Sequence, residues 1–433
     1  MAGRWRSGGW RALLCLPLVW ALPLAALTGC GPVTGPDDAV GRDGRAVQHL
    51  LDRRAEAVRE RDAAAFLATV DHGSRRYREE QGRVFRQLAA VPLRSWSYRL
   101  VRTGGFQPAL GTGRRLAAQI ELRYRLAGYD TAPVVSAQHL TLAQRGSRWY
   151  VAADDGVVDG KRSGEQLWDQ GRVEVVRGAH SLVLGVGQRR GLLHEVADTA
   201  DRAVPALGRV WPGAWAGRVV VEVPADLDRM AALLGASPNG YRGIAAVTTG
   251  EVGGRDGNPS PADRVIVNPE AYQVLGDFGR QVVITHETAH VATRAATTAS
   301  TPLWLSEGFA DWVGYRTPGR TPGQVAPELA DSVASGRLPR ALPPDDAFRF
   351  GSEPDRLSQA YEQGWLACRL IADRWGSRKL VEFYREVGEA PGRSGAVESA
   401  LRRVLDVDLA EFTADWRTYM KKELGEGVGA GGG

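Results

Sequence analysis

Residues 282–293 read VVITHETAHVAT, and residues 301–313 read TPLWLSEGFADWV. In the first stretch His286 and His290 stand four residues apart, with Glu287 next to His286. On a helix that spacing stacks both imidazoles on one face, one turn apart, where they can share an ion. The carboxylate of Glu287 can then reach a water on that ion. Val282, Val283, Ala289 and Val291 supply apolar surface, and no Gly or Pro interrupts residues 280–300, so a helix is predicted there. An H-E-x-x-H string arises by chance at roughly 0.006 per chain of this composition. Two imidazoles are still only half of a tetrahedral site.

The second stretch offers the missing ligand. Thr301 is a candidate N-cap and Pro302 a candidate first helical residue, so a second helix is predicted to start here. Glu307 is the candidate third metal ligand, separated from His290 by 16 residues. That gap lets the first helix end and the chain reverse, so that Glu307 faces the His pair. Asp311 follows four residues later on the same face. It is placed to accept the outer N–H of a metal-bound imidazole, His286 by preference, and to fix its tautomer.

H-E-T-A-H followed by W-L-S-E-G-F-A-D resembles the gluzincin metallopeptidases, and within them the aminopeptidase N family. The E-x-x-x-D pair is also similar to that of thermolysin. The resemblance implies zinc as the cofactor, held by His286, His290 and Glu307, with Glu287 as general base and Asp311 behind the ligands. It extends to Tyr361-Glu362-Gln363-Gly364, similar to the family's Y-E-K-G segment, which implies that Tyr361 stabilises the oxyanion. The implied substrate is a peptide or protein. Two departures count. The 16-residue gap is shorter than in those families, so the loop between the helices is tighter. The family's G-A-M-E-N segment is absent; its place reads GIAAVTTG (243–250), with no acid to hold a substrate amine. Aminopeptidase activity is therefore not carried over, although this strand can still pair with extended substrate. Two other classes stay open: a non-catalytic cell-envelope binding lipoprotein on a peptidase scaffold, and a zinc hydrolase of a non-peptide substrate.

Outward from these motifs the chain divides. Strands are expected at 173–176, 181–186, 219–223, 244–249 and 264–268, with helices over 192–210 and near 227–234. From Phe278 onward the pattern is helical. A mixed sheet followed by helices is an α+β plan, here thermolysin/gluzincin-like, over 172–424. Before it, residues 45–92 carry two helical patterns and 95–152 four strands at period two. That element order resembles the nuclear-transport-factor-2 (NTF2)-like fold and marks 45–155 as an accessory α+β module. The polar, Gly-rich run 154–171 is the expected boundary. Two weaker motifs fail. Gly185-x-Gly187-x-x-x-Gly191 has Arg190 where a dinucleotide loop needs Gly, and His194-Glu195 lacks a second His at Asp198.

The first 29 residues read as a secretory leader. Arg4, Arg6 and Arg11 precede an uncharged, Leu-rich stretch from Ala12 to Leu27, too short to span a bilayer comfortably. Leu27-Thr28-Gly29-Cys30 resembles the bacterial lipoprotein box, which implies acylation of Cys30 and attachment to the extracytoplasmic face of the membrane. Residues 30–44 are expected to be a flexible tether, and 425–433, rich in Gly, a disordered tail. Without the leader Cys368 is the sole thiol left besides Cys30, so no internal disulfide is expected. The leader also carries basic charge: without it the formal charge falls from +5 to +2. No dense Lys/Arg run with interleaved aromatics points to nucleic acid.

Overall fold

The computed structural model describes residues 36–213, 215–249, 262–316, 319–349 and 354–425. The leader, Cys30 and residues 426–433 lie outside them. Helix α1 spans Pro36–Arg59. The segment expected to be a tether is therefore helical from Pro36. Pro36, Asp37 and Asp38 are residue types that a first helical turn accepts. Asp43 pairs with Arg114, and Val47, Leu50 and Leu51 are fully buried, so the helix is held from Asp43 onward.

Short α2 (Ala63–Ala68) and α3 (Arg75–Gln87) follow, α2 capped by the Asp62 carboxylate on the Ala65 N–H. Strands β1 (Leu93–Thr103), β2 (Arg115–Leu126), β3 (Val134–Arg145) and β4 (Arg148–Ala153) form an antiparallel meander in chain order. Ile120, Leu122, Tyr124 and Leu126 alternate inward along β2, as the period of a strand covered on one face requires.

After α4 (Leu167–Gln170) comes the second sheet: β5 (Val173–Arg177), β6 (Ser181–Val186), β7 (Val219–Val223), β8 (Ala246–Thr248) and β9 (Val265–Val267). Its order is β5-β6-β7-β9-β8. The three central strands are parallel, and both outer strands are antiparallel to their neighbours. Helix α5 (Arg190–Val210) makes the crossover from β6 to β7. Every residue of β6 and β7 is buried, so both faces of this sheet are covered. Val183, Val219 and Val221 pack toward α5. Leu182, Leu184 and Val220 pack the other way, into one core with Trp96, Tyr124 and Trp168. The expected boundary at 154–171 thus ends inside a core that both sheets share. Its polar residues hid Leu167 and Trp168, which are 1% and 2% exposed. Below this core Arg264 places both Nη atoms 2.8 Å from the Asp130 carboxylate, with Glu222 at 3.7 Å from Nε.

The remainder is helical: α6 (Leu227–Leu233), α7 (Pro269–Gln273), α8 (Asp277–Thr293), α9 (Leu303–Gly314), α10 (Pro322–Val325), α11 (Pro327–Ala334), α12 (Pro354–Trp375), α13 (Ser377–Glu389), α14 (Ala396–Ala400) and α15 (Leu409–Gly425). The protein is thus α+β. Its helical core gathers Trp211, Phe309, Tyr384 and Trp416, with Cys368 buried among them. Among the described residues no helix is long and apolar enough to cross a membrane.

Candidate functional site

Helix α8 carries His286, Glu287 and His290, and α9 carries Glu307 and Asp311. The α9 start differs by one residue from expectation. Pro302 is its N-cap and Leu303 its first residue, while Thr301 Oγ1 accepts the Thr298 N–H instead. Proline caps without a side-chain acceptor, so the cap comes from a distance: Asp345 Oδ1 accepts the Leu303 N–H at 3.0 Å.

The two helices pack with their polar residues facing. His286 Nε2 and His290 Nε2 are 3.0 Å apart. Glu307 Oε2 lies 3.3 Å from His286 Nε2 and 3.5 Å from His290 Nε2. One ligand atom from each of the three falls within 4.8 Å of the others, a set that could hold a metal ion. Behind them, Asp311 Oδ1 is 2.8 Å from His286 Nδ1. Two carboxylates against two imidazoles give the cluster a negative potential. Burial opposes charge on His286, but Asp311 and then Glu307 outweigh it and push the ring's pKa up to about 10. Burial likewise opposes charge on Glu307, and the two imidazoles outweigh it, holding its carboxyl well below the usual range. A potential that favours a proton here favours a cation too.

Glu287 is 5% exposed and points to the β8 side of the site. Thr248, fully buried on β8, donates its hydroxyl to Glu287 Oε2 at 2.7 Å. This contact was not visible in the sequence, where GIAAVTTG showed only a missing acid. Strand β8 is the outer strand of its sheet, paired with β9 on one side. A cavity of about 390 Å³ opens between β8, α8, α9 and α12, and its walls include Val247, Glu287, Glu307 and Tyr361.

Tyr361 sits on α12 with its ring 6.4 Å from the His286 ring and edge-on to Phe348 at 5.2 Å. Its neighbours in the segment have separate tasks. Glu362 accepts the N–H groups of Leu329 (2.6 Å) and Glu328 (3.3 Å), tying α12 to the start of α11. Burial pushes its carboxyl up to about 7 against those bonds. Gly364 is where α12 meets α9. A Cβ on Gly308 would stand 2.3 Å from the Gly364 carbonyl oxygen, and one on Gly364 2.6 Å from that of Trp304. The glycine after Glu307 and the glycine after Tyr361 are thus two sides of one backbone crossing. That crossing brings the tyrosine to the same cavity as the His–Glu set.

All of the residues expected at the site within the described chain meet there: His286, Glu287, His290, Glu307, Asp311 and Tyr361. Thr248, Glu362 and the Gly308–Gly364 contact were missed; only the bare identity of the glycines was in view. Comparison with protein-family models and with curated proteins finds no match to this chain.

Proposed function

We propose that the protein is a zinc metallopeptidase whose second half is gluzincin-like and whose first half is an NTF2-like accessory module. The observation that carries this reading is the convergence of His286, His290 and Glu307, with Glu287 on the wall of the same cavity. A tetrahedral zinc with ligands at ~2.0–2.1 Å sets neighbouring ligand atoms about 3.3 Å apart. The three observed separations are 3.0, 3.3 and 3.5 Å. Two nitrogens and one carboxylate suit zinc, and three protein ligands leave a fourth position, the pattern of a catalytic rather than a structural site.

Zinc, when bound, supplies Lewis acidity to the scissile carbonyl and lowers the pKa of a water to about 7. The chain's residues do the rest. An extended peptide lies along the free side of β8, its backbone hydrogen-bonded there, which suits a peptide better than a compact substrate. Glu287 takes the proton of the attacking water and passes it to the leaving amine. Tyr361 donates its hydroxyl hydrogen to the developing oxyanion. Asp311 keeps His286 in one tautomer, with Nε2 toward the ion. Thr248 holds the Glu287 carboxylate in one rotamer.

Metal analysis of the purified protein tests the reading: about one zinc per chain is expected, falling below roughly a tenth in Glu307→Ala. A wild-type chain that binds no zinc after equilibration with it would sink the proposal. A peptide-library digest then reads end and side-chain preference. Thr248→Val should lower kcat about 10-fold with KM nearly unchanged, because a charged buried carboxylate loses a donor, and Thr248→Ser should restore it. Equal activity in Thr248→Val would remove its positioning role. We propose also that a lipid on Cys30 holds the protein to the membrane. Cys30→Ala should move it from the membrane to the soluble fraction, and persistence in the membrane would contradict that.

A further inference from the structure

The residues Arg83, Arg86, Arg172, Arg177 and Arg190 are scattered over more than a hundred positions and form no basic run in sequence. The fold collects all five around one groove of about 970 Å³ where the two halves of the chain meet. Arg83 and Arg86 sit three residues apart on α3, and so on one side of that helix. Arg172 precedes β5, the outer strand of the second sheet, Arg177 is its last residue, and Arg190 is the first residue of α5. Glu174 is the single carboxylate among the lining residues, against five guanidinium groups. All five arginines are exposed, and none makes an ion pair among the described residues. Some arginines elsewhere on this surface are paired, as Arg99 is with Glu121, Arg356 with Asp346 and Arg369 with Glu423. The groove's excess, five arginines against Glu174, is +4, more than the +2 that the chain carries without its leader. The rest of the surface is therefore close to balanced, and the charge is segregated rather than spread.

We propose that this groove binds a phosphate-rich anion, several phosphate groups long. Guanidinium groups bind phosphate oxygens in paired, charge-assisted hydrogen bonds, and a concave wall of one sign concentrates anions. The length follows from β5. Arg172 and Arg177 are five residues apart on extended chain, about 16 Å, further than one phosphate reaches. Arg83, Arg86 and Arg190 line the same groove. Such a ligand lies free as a phosphate chain or is presented as headgroups on a lipid surface, and the two sources are separable by experiment. The groove shares no residue with the His–Glu site, so the inference stands whether or not that site is a peptidase.

The test uses the full chain and two probes, tripolyphosphate and vesicles of phosphatidylglycerol with phosphatidylcholine vesicles as blank. Binding is measured by calorimetry and by co-sedimentation at low and at physiological salt. The groove variant is Arg83→Gln/Arg86→Gln/Arg172→Gln. Its charge-matched control is Arg209→Gln/Arg378→Gln/Arg385→Gln, around a different cavity that also holds Glu382, Glu386 and Glu389. Wild type is expected to bind at least one probe, more weakly as salt rises. The groove variant should lose about 10-fold or more, and the control less than about 2-fold. Binding of tripolyphosphate lost in the groove variant identifies a free phosphate chain as the source. Binding of phosphatidylglycerol vesicles alone, lost in the same variant, identifies headgroups. No binding of either probe, or equal loss in both variants, overturns the proposal. Circular dichroism of both variants verifies folding: the three groove arginines are exposed and make no ion pair among the described residues, whereas Arg385 of the control lies over the Trp211 ring at 4.8 Å.

Discussion

Glu287→Gln should lower peptide hydrolysis about 10²–10⁴-fold and leave bound zinc unchanged. Glutamine keeps the volume of the side chain and can still accept the Thr248 hydroxyl through its carbonyl oxygen, so the cavity wall is preserved. What it loses is the ability to carry a proton from water to the leaving amine. Glu287 is not among the three residues whose ligand atoms converge, and for that reason metal content should not move. The measurement is kcat/KM on the best peptide from the library digest, together with zinc stoichiometry. Unchanged hydrolysis with zinc in place would remove Glu287 as base and return the protein to the class of binding scaffolds. Loss of zinc together with activity would instead place Glu287 among the metal ligands. The two results are distinct, which makes this variant more informative than any ligand substitution.

Arg264→Met should cost about 3–5 kcal/mol of stability in urea unfolding, whereas Arg356→Met on the surface should stay within about 1 kcal/mol. Arg264 is 4% exposed, and its two partners, Asp130 and Glu222, are buried with it. Removing the guanidinium leaves both carboxyl groups in a dry site without a cation. Burial already raises the pKa of Glu222, with Arg264 pulling it down. Asp130 also accepts the Leu126 N–H at 2.6 Å, so it cannot turn away to water without breaking the end of β2. The effect should reach the Glu287 side of the molecule. The Arg264 backbone exchanges hydrogen bonds with Thr249, next to Thr248 and its contact with Glu287. A variant that unfolds at the same urea concentration as wild type would show that the pair contributes no net stability. Arg356 pairs with Asp346 where both side chains are about half exposed, so solvent screens it.

How far the sequence led can be judged from single residues. His286 and His290 were legible because a helix has a fixed period, and four residues always return to the same face. Glu307 and Asp311 were legible for the same reason on the next helix. The strands were legible from alternation, as in β2, where one face is covered. In β6 and β7 every residue is buried, and there the continuous apolar run marked the strands without showing what covered them. The start of α9 slipped by one residue because its cap comes from Asp345, 42 residues away. Gly and Asp in 36–44 read as loop, whereas α1 begins at Pro36.

The sequence by itself determined most of the helices and strands, and the spacing that puts His286 with His290 and Glu307 with Asp311 on one helix face, because each depends on a period along one element. Only the tertiary structure decided what meets what. Thr248 reaches Glu287 across 39 residues, Gly308 meets Gly364 across 56, and Arg264 holds Asp130 across 134. Five arginines that form no run become one groove. These pairings are set by how the two sheets and the helices close over a common core, and no period in the chain encodes the register between distant elements.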